Sequence, residues 1–331
     1  MIIRKPSYFD AFSCIASNCP DSCCKEWDVQ VDEISAEYYR SLPGALGDDL
    51  RRLLKEEDGE TVMTIVDGRC PMWRQDGLCR IQAELGEAAL CKTCREFPRL
   101  THDYGNFIER GLELSCPEAA RIILSSPAAA PIIEEIPGGE AEYDTDAMEV
   151  LLRTRERVLE ILADTGRPVN EALALALLYG YQAQAELDGE ESQPFDAAAA
   201  LDSIRDFAAA PEGKSLPEFF LGLEILTPQW RNRLLSPIPG TWQEGYRNLA
   251  RYFVERYWLQ AVSDYDLYSR VKFAIVSCLL VHQLGGSLQE TAQLYSKEIE
   301  NNADNVDAIL DAAYTHPAFT DDKLLGILMN R

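Results

Sequence analysis

"CPDSCCKEWDV", residues 19–29, sets Cys19, Cys23 and Cys24 within six positions, five residues after Cys14. Core packing has no need of thiols at this density, two of them adjacent. Disulfides, a structural metal and an iron–sulfur centre remain as uses. Working outward, Cys70, Cys79, Cys91, Cys94 and Cys116 follow, so nine of the ten cysteines fall in the first 116 residues. The tenth, Cys278, stands alone in "RVKFAIVSCLLVHQL" and reads as a packed core cysteine.

That contrast divides the chain. Residues 1–124 are expected to form a cysteine-rich, metal-binding part with short strands and helices. "SSPAAAPIIEEIPGGEAEYDTD", residues 125–146, carries three prolines and a Gly-Gly pair and reads as a linker. Residues 147–331 are expected to be an all-α helical domain, which makes the fold class mainly α. "DAMEVLLRTRERVLEILAD" spaces its apolar residues at three- and four-residue intervals, and "RPVNEALALALLYGYQAQAEL" and "QPFDAAAALDSIRDFAA" follow. Ser287 and Glu290 stand at capping-box spacing, and Gly285-Gly286 suits the end of the preceding helix. In the N-terminal part, "WDVQVD" and "TVMTIVDG" alternate as short strands and "DEISAEYYRSL" is helical. A short helix is expected from Cys79, then a tight turn at Cys91–Cys94.

Composition narrows the setting. No run approaches the roughly 18–20 apolar residues of a membrane span. The start "MIIRKPSYFDAFSC" lacks the apolar core of a signal peptide. A cytoplasmic location is therefore expected, where clustered thiols hold metal more often than they form disulfides. The net charge of −24 repels phosphate backbones, so nucleic-acid binding is not expected. It suits a cationic partner such as a surface lysine, or solubility alone.

The spacings are Cys14-x4-Cys19-x3-Cys23-Cys24, Cys70-x8-Cys79, Cys91-x2-Cys94 and Cys116. A two-residue gap turns both thiolates toward one ion, so Cys91/Cys94 is the best local chelate. Cys19/Cys23 is well spaced if that segment curls into one helical turn. Adjacent Cys23 and Cys24 point in different directions, which predicts two sites, or one ligand and one neighbour. All-thiolate coordination suits zinc and a [4Fe–4S] cluster alike. The Cys-x3-Cys-x2-Cys pattern of radical methyl chemistry is met imperfectly, since its third position falls on Glu26.

"FSCIASNCPDSCCKEWDVQVD", "CPMWRQDGLCRIQAELGEAALCKTCREFPR" and "LELSCPE", in this order, resemble the bacterial flagellin lysine-N-methylases. More loosely they look like small cysteine-cluster proteins with a Cys-Cys pair near the start. "YRNLARYFVERYW" and "RVKFAIVSCLLVH" look like the helical region of the same family. The cysteines that match are Cys14, Cys19, Cys23, Cys24, Cys70, Cys79, Cys94 and Cys116; Cys91, favoured by spacing, is optional in the resemblance. The resemblance implies methyl transfer from S-adenosylmethionine to lysine ε-amines of flagellin, with an iron–sulfur centre. The competing class is a non-enzymatic metal-binding or redox module whose helical domain recognises a partner.

No Gly-x-Gly-x-Gly loop follows a strand, so a Rossmann-type cofactor site is not indicated. Arg99, close behind Cys94, is the candidate cofactor-binding residue, expected to hold a carboxylate and face a cleft between the two parts. Arg95 shares its segment, and His102 is the histidine nearest the cysteines. The helix "YRNLARYFVERYW" carries arginines and aromatic rings that suit either packing or a pocket wall. Acidic residues are too many for one to be singled out as a general base.

Overall fold

The structure, a computed structural model, describes residues 1–25, 29–57, 59–205 and 215–329. β1 (Ile2–Lys5) opens the chain and leads into a cysteine-bearing segment with 3-10 turns at Phe9–Ala11 and Ala16–Asn18. A small lobe follows. It is built from β2 (Val29–Gln30), α1 (Glu33–Ser41), α2 (Gly44–Leu53), β3 (Leu54–Glu57), β4 (Glu60–Met63), α3 (Arg80–Leu85) and α4 (Lys92–Glu96). Its three strands pair antiparallel in the order β2-β4-β3. Asp32 caps α1 by accepting the Ser35 N–H at 3.0 Å. The lobe has its own small core, in which Val29, Tyr39, Leu50, Met63, Met72 and Ile81 pack with Cys70 and Cys91.

The chain then returns to β1. β5 (Arg99–Asp103) and β6 (Phe107–Leu112) form a hairpin, and β6 lies parallel to β1. α5 (Pro117–Ser125) comes next, and β7 (Ile132–Glu135) adds antiparallel to the other side of β1. The sheet order is β5-β6-β1-β7. Residues 125–146 are therefore not the linker that their composition suggests: they contribute an edge strand. Gly139 (φ +95°) lies so close to the β5–β6 turn that a Cβ there would meet the Gly105 carbonyl oxygen at 2.2 Å. The glycines and prolines of this segment serve turns at a sheet edge, where proline and positive φ are tolerated.

The rest of the described chain is helical. α6 (Thr145–Ala163) and α7 (Val169–Leu187) are antiparallel neighbours, followed by α8 (Ala197–Ile204), α9 (Leu216–Phe220) and α10 (Pro228–Leu235). α11 (Gly245–Tyr257), α12 (Leu267–Leu284), α13 (Leu288–Ile299), α14 (Ala303–Thr315) and α15 (Asp321–Met329) complete the body. α12 is the centre, buried on every face from Leu267 to Val281, which is why its sequence is apolar without a stripe. Gly285 and Gly286 end it with φ of +58° and +77°, and the Ser287 hydroxyl accepts the Glu290 N–H at 3.4 Å. The end of "QPFDAAAALDSIRDFAA", from residue 206, and residues 26–28 of "WDVQVD" and its flank lie outside the described residues.

One core runs through the helices and into the large sheet, where Tyr8, Phe9, Phe12, Phe107, Leu112 and Leu114 join it. The packing boundary thus falls around the small lobe, within the N-terminal part, rather than at residue 124. No described helix is long and apolar enough to cross a membrane.

Candidate functional site

The nine N-terminal cysteines fall into two neighbouring groups. Cys24, Cys70, Cys79 and Cys91 belong to the small lobe's core or pack against it. The Cys24 carbonyl accepts the Cys70 N–H at 2.7 Å, and Trp73 pairs with Cys79, which folds the 69–80 loop onto Cys24. Cys91 immediately precedes α4, and its Sγ lies 3.9 Å from the Gln30 carbonyl. Cys14, Cys19 and Cys116 make the other group. Cys116 stands at the start of α5, and α13 joins it to the cysteine loop: Gln293 donates to the Ser115 carbonyl at 2.7 Å and to Asp21 at 3.2 Å.

Cys23 and Cys24 stand at the seam between these groups. The Cys23 thiol hydrogen-bonds to Cys24 Sγ, which lowers Cys24 to about 7 and holds Cys23 well above the usual thiol range. The same exchange lowers Cys91 and raises Cys94. In each pair the hydrogen bond favours the thiolate form on one member, Cys24 and Cys91, and disfavours it on the other. Cys14 and Cys116 also act on Cys23, while Cys24 acts on Cys70, Cys79 and Cys94. Cys23 also acts on Cys94, so the two adjacent thiols stand in reach of both groups. All ten cysteines are free. Among the described residues no three His, Cys, Asp or Glu groups converge tightly enough to hold a metal ion; the thiols meet in pairs. Glu26 lies outside the described residues.

A second feature is a cavity of about 560 Å³ between the large sheet and the helices. Strand register builds its floor: His102 of β5 lies opposite Glu109 of β6, which lies opposite Arg4 of β1, so three side chains line up across three strands. α6 and α11 form the roof with Arg155, Leu159, Arg251, Tyr252, Glu255 and Arg256. Arg155 grips Glu109 through two parallel hydrogen bonds of 2.8 and 2.6 Å. Tyr8 donates to Glu255 at 3.5 Å, and burial pushes the Glu255 carboxyl above its usual range. Arg256 donates to the Tyr252 hydroxyl at 2.6 Å and pairs with Glu300 at 3.3 Å. His102 is held below the usual histidine value by burial and by Arg256, and its Nε2 has no hydrogen-bond partner among the described residues.

Arg99 does not face this cavity. It is exposed, with its guanidinium 5.1 Å from the Phe12 ring, because alternation along β5 turns Leu100 and His102 inward and Arg99 outward. Arg95 is exposed too, donating to the Leu90 carbonyl at 3.5 Å. No cysteine lines the cavity. The arginine-rich helix seen in the sequence, α11, does form a wall. Nothing local in the sequence marks Glu109, Arg155 and Glu255, charged residues that only strand pairing and helix docking bring together. In the sequence His102 is marked only by its nearness to Cys94.

These observations define a class: a mainly α-helical cysteine-cluster protein, with a thiol-rich lobe set on a helical body and a charged cavity beside it. Over 140 residues the chain is 36% identical to the flagellar biosynthetic protein FliU of Salmonella muenchen, a match covering 40% of this chain and 83% of that protein. It is 35% identical over 140 residues to the lysine-N-methylases of Salmonella typhimurium strain LT2 and Salmonella choleraesuis strain SC-B67. Those matches cover 40% of this chain and 35% of each methylase. The chain belongs to the flagellin lysine-N-methylase family, a family of protein-lysine methyltransferases. No protein-family model matches it, and no solved structure does.

Proposed function

We propose that this chain transfers methyl groups from S-adenosylmethionine to lysine ε-amines of flagellin, with the cavity as the working site. The observation that carries the reading is the 36% identity to FliU over most of that protein's length, together with the two relatives named lysine-N-methylase. A lysine ammonium has no lone pair, so it must lose a proton before it can take a methyl group. His102, whose burial favours the uncharged ring and whose Nε2 has no hydrogen-bond partner among the described residues, is the cavity group placed to accept that proton. The arginines around it disfavour the ammonium form of a bound lysine.

The thiols are donors of the right kind for a metal centre, and they already meet in pairs. Cys24, Cys70, Cys79, Cys91 and Cys94 would hold one centre; Cys14, Cys19, Cys23 and Cys116 would hold another. An iron–sulfur cluster would supply electron-transfer chemistry there, and zinc would supply shape alone. The absence of cysteine from the cavity wall favours a second reading, in which the chain is a metal-binding or redox module with a helical partner-binding body. Incubation with S-adenosylmethionine and unmodified flagellin under reducing, anaerobic conditions separates the two. A mass gain of one methyl per modified lysine is expected; an unchanged flagellin mass favours the module.

A further inference from the structure

The cavity wall carries six basic side chains against four acidic ones, in a chain whose net charge is −24. A basic excess gathered in one recess of an acidic protein selects for a negative group on the ligand. Three of the basic residues are buried: Lys5, Arg155 and Arg251, each 8% exposed. Lys5 is held by Asp10 and Glu134, and Arg155 by Glu109. Arg251 is less fully engaged. Its Nη2 donates to the Ser126 carbonyl at 3.1 Å, but its Nε has no acceptor among the described residues. Glu255 Oε1, the carboxylate oxygen paired with it, stands 3.9 Å away.

A buried guanidinium donor without an acceptor costs stability unless a ligand supplies one. Arg251 and Glu255 stand side by side on one turn of α11, a cation next to a hydrogen-bonding carboxyl. An α-amino carboxylate presents the complementary arrangement, one anionic and one cationic group on neighbouring atoms. Around them Leu100, Leu112, Leu159, Pro6 and Pro131 give the cavity an apolar wall, and its volume falls in the range of small-molecule sites.

We propose that the cavity binds a small molecule bearing an α-amino carboxylate on a largely apolar body, its carboxylate on Arg251 and its ammonium toward Glu255. The inference rests on the methyl-transfer reading in taking the methyl donor, which carries such a group, as the occupant. Calorimetric titration of the full chain with S-adenosyl-L-homocysteine and with 5′-methylthioadenosine, which lacks the amino-acid end, tests it. S-adenosyl-L-homocysteine is expected to bind about 10- to 100-fold more tightly, the worth of a charge-assisted contact. Arg251→Met should abolish that preference while leaving binding of 5′-methylthioadenosine unchanged. Should that variant fail to fold, Glu255→Gln is expected to weaken S-adenosyl-L-homocysteine selectively. Equal binding of the two compounds, no binding of either, or a preference surviving in Arg251→Met overturns the site. Methyl transfer to flagellin without such a preference would sink this inference and leave the methylase reading standing.

Discussion

Asp21 and Lys297 form a 3.0 Å ion pair that fastens the cysteine loop to α13 of the helical body. Lys25 pairs with the other Asp21 oxygen at 2.6 Å, so one carboxylate ties its own loop and a helix far along the chain. Asp21→Asn should cost about 1–3 kcal/mol of local stability, the worth of hydrogen bonds to a charged group. The first sign is expected in limited proteolysis, as faster cleavage within residues 14–25, with helical circular dichroism unchanged. Cleavage at the wild-type rate would show that the loop is held by other contacts.

Arg155 and Glu109 join α6 to β6 in a bidentate pair whose side chains are 9% and 14% exposed. Removing one partner strands the other charge away from water. Arg155→Met is expected to lose about 3–5 kcal/mol in urea unfolding, and the double variant Arg155→Met/Glu109→Met less than that. A double variant that is the less stable of the two would mean that the pair itself, rather than a stranded charge, sets the energy.

Cys94→Ser should reduce bound iron or zinc in protein purified anaerobically, because it breaks the Cys91–Cys94 pair. Cys278 is 0% exposed within α12 and distant in role, so Cys278→Ala should leave metal content at the wild-type level. Stoichiometric metal in Cys94→Ser would remove that residue from the donor set.

Gly180 of α7 faces α12 so closely that an added Cβ would lie 2.4 Å from Val271 Cγ1. Gly180→Ala should therefore destabilise by about 1–3 kcal/mol despite alanine's better helix propensity. Pairing it with Val271→Ala should recover most of the loss in thermal unfolding.

His282, stacked at 3.9 Å on Trp242, is held below its usual value of 6.5 by burial, as is His102. The folded state binds these protons less readily than the unfolded chain. Their contribution is complete above the unfolded value of about 6.5 and is lost as pH falls below it, through the lower folded values. His282→Gln should narrow the difference in Tm between pH 7.5 and about pH 5.5. An undiminished difference would place the acid sensitivity in other groups.

Local interactions wrote themselves into the sequence. The apolar spacing of α6 and α7, the Ser287 cap and the glycines ending α12 each depend on residues within a turn or two, so reading them in order suffices. The crowding of thiols before residue 116, and the opposed directions of Cys23 and Cys24, are likewise local facts. The resemblance to the family was carried largely by the same cysteine-bearing segments. Tertiary structure alone decided which residues meet. Arg4 lies about a hundred residues before the hairpin that carries His102 and Glu109, and a one-residue shift in register would turn each of the three to the opposite face. The same alternation turned Arg99 outward, and β7 became a strand only because β1 offered it a free edge. The cavity's chemistry lies in charges brought together by strand pairing and helix docking, and those contacts span distances along the chain that no local pattern encodes.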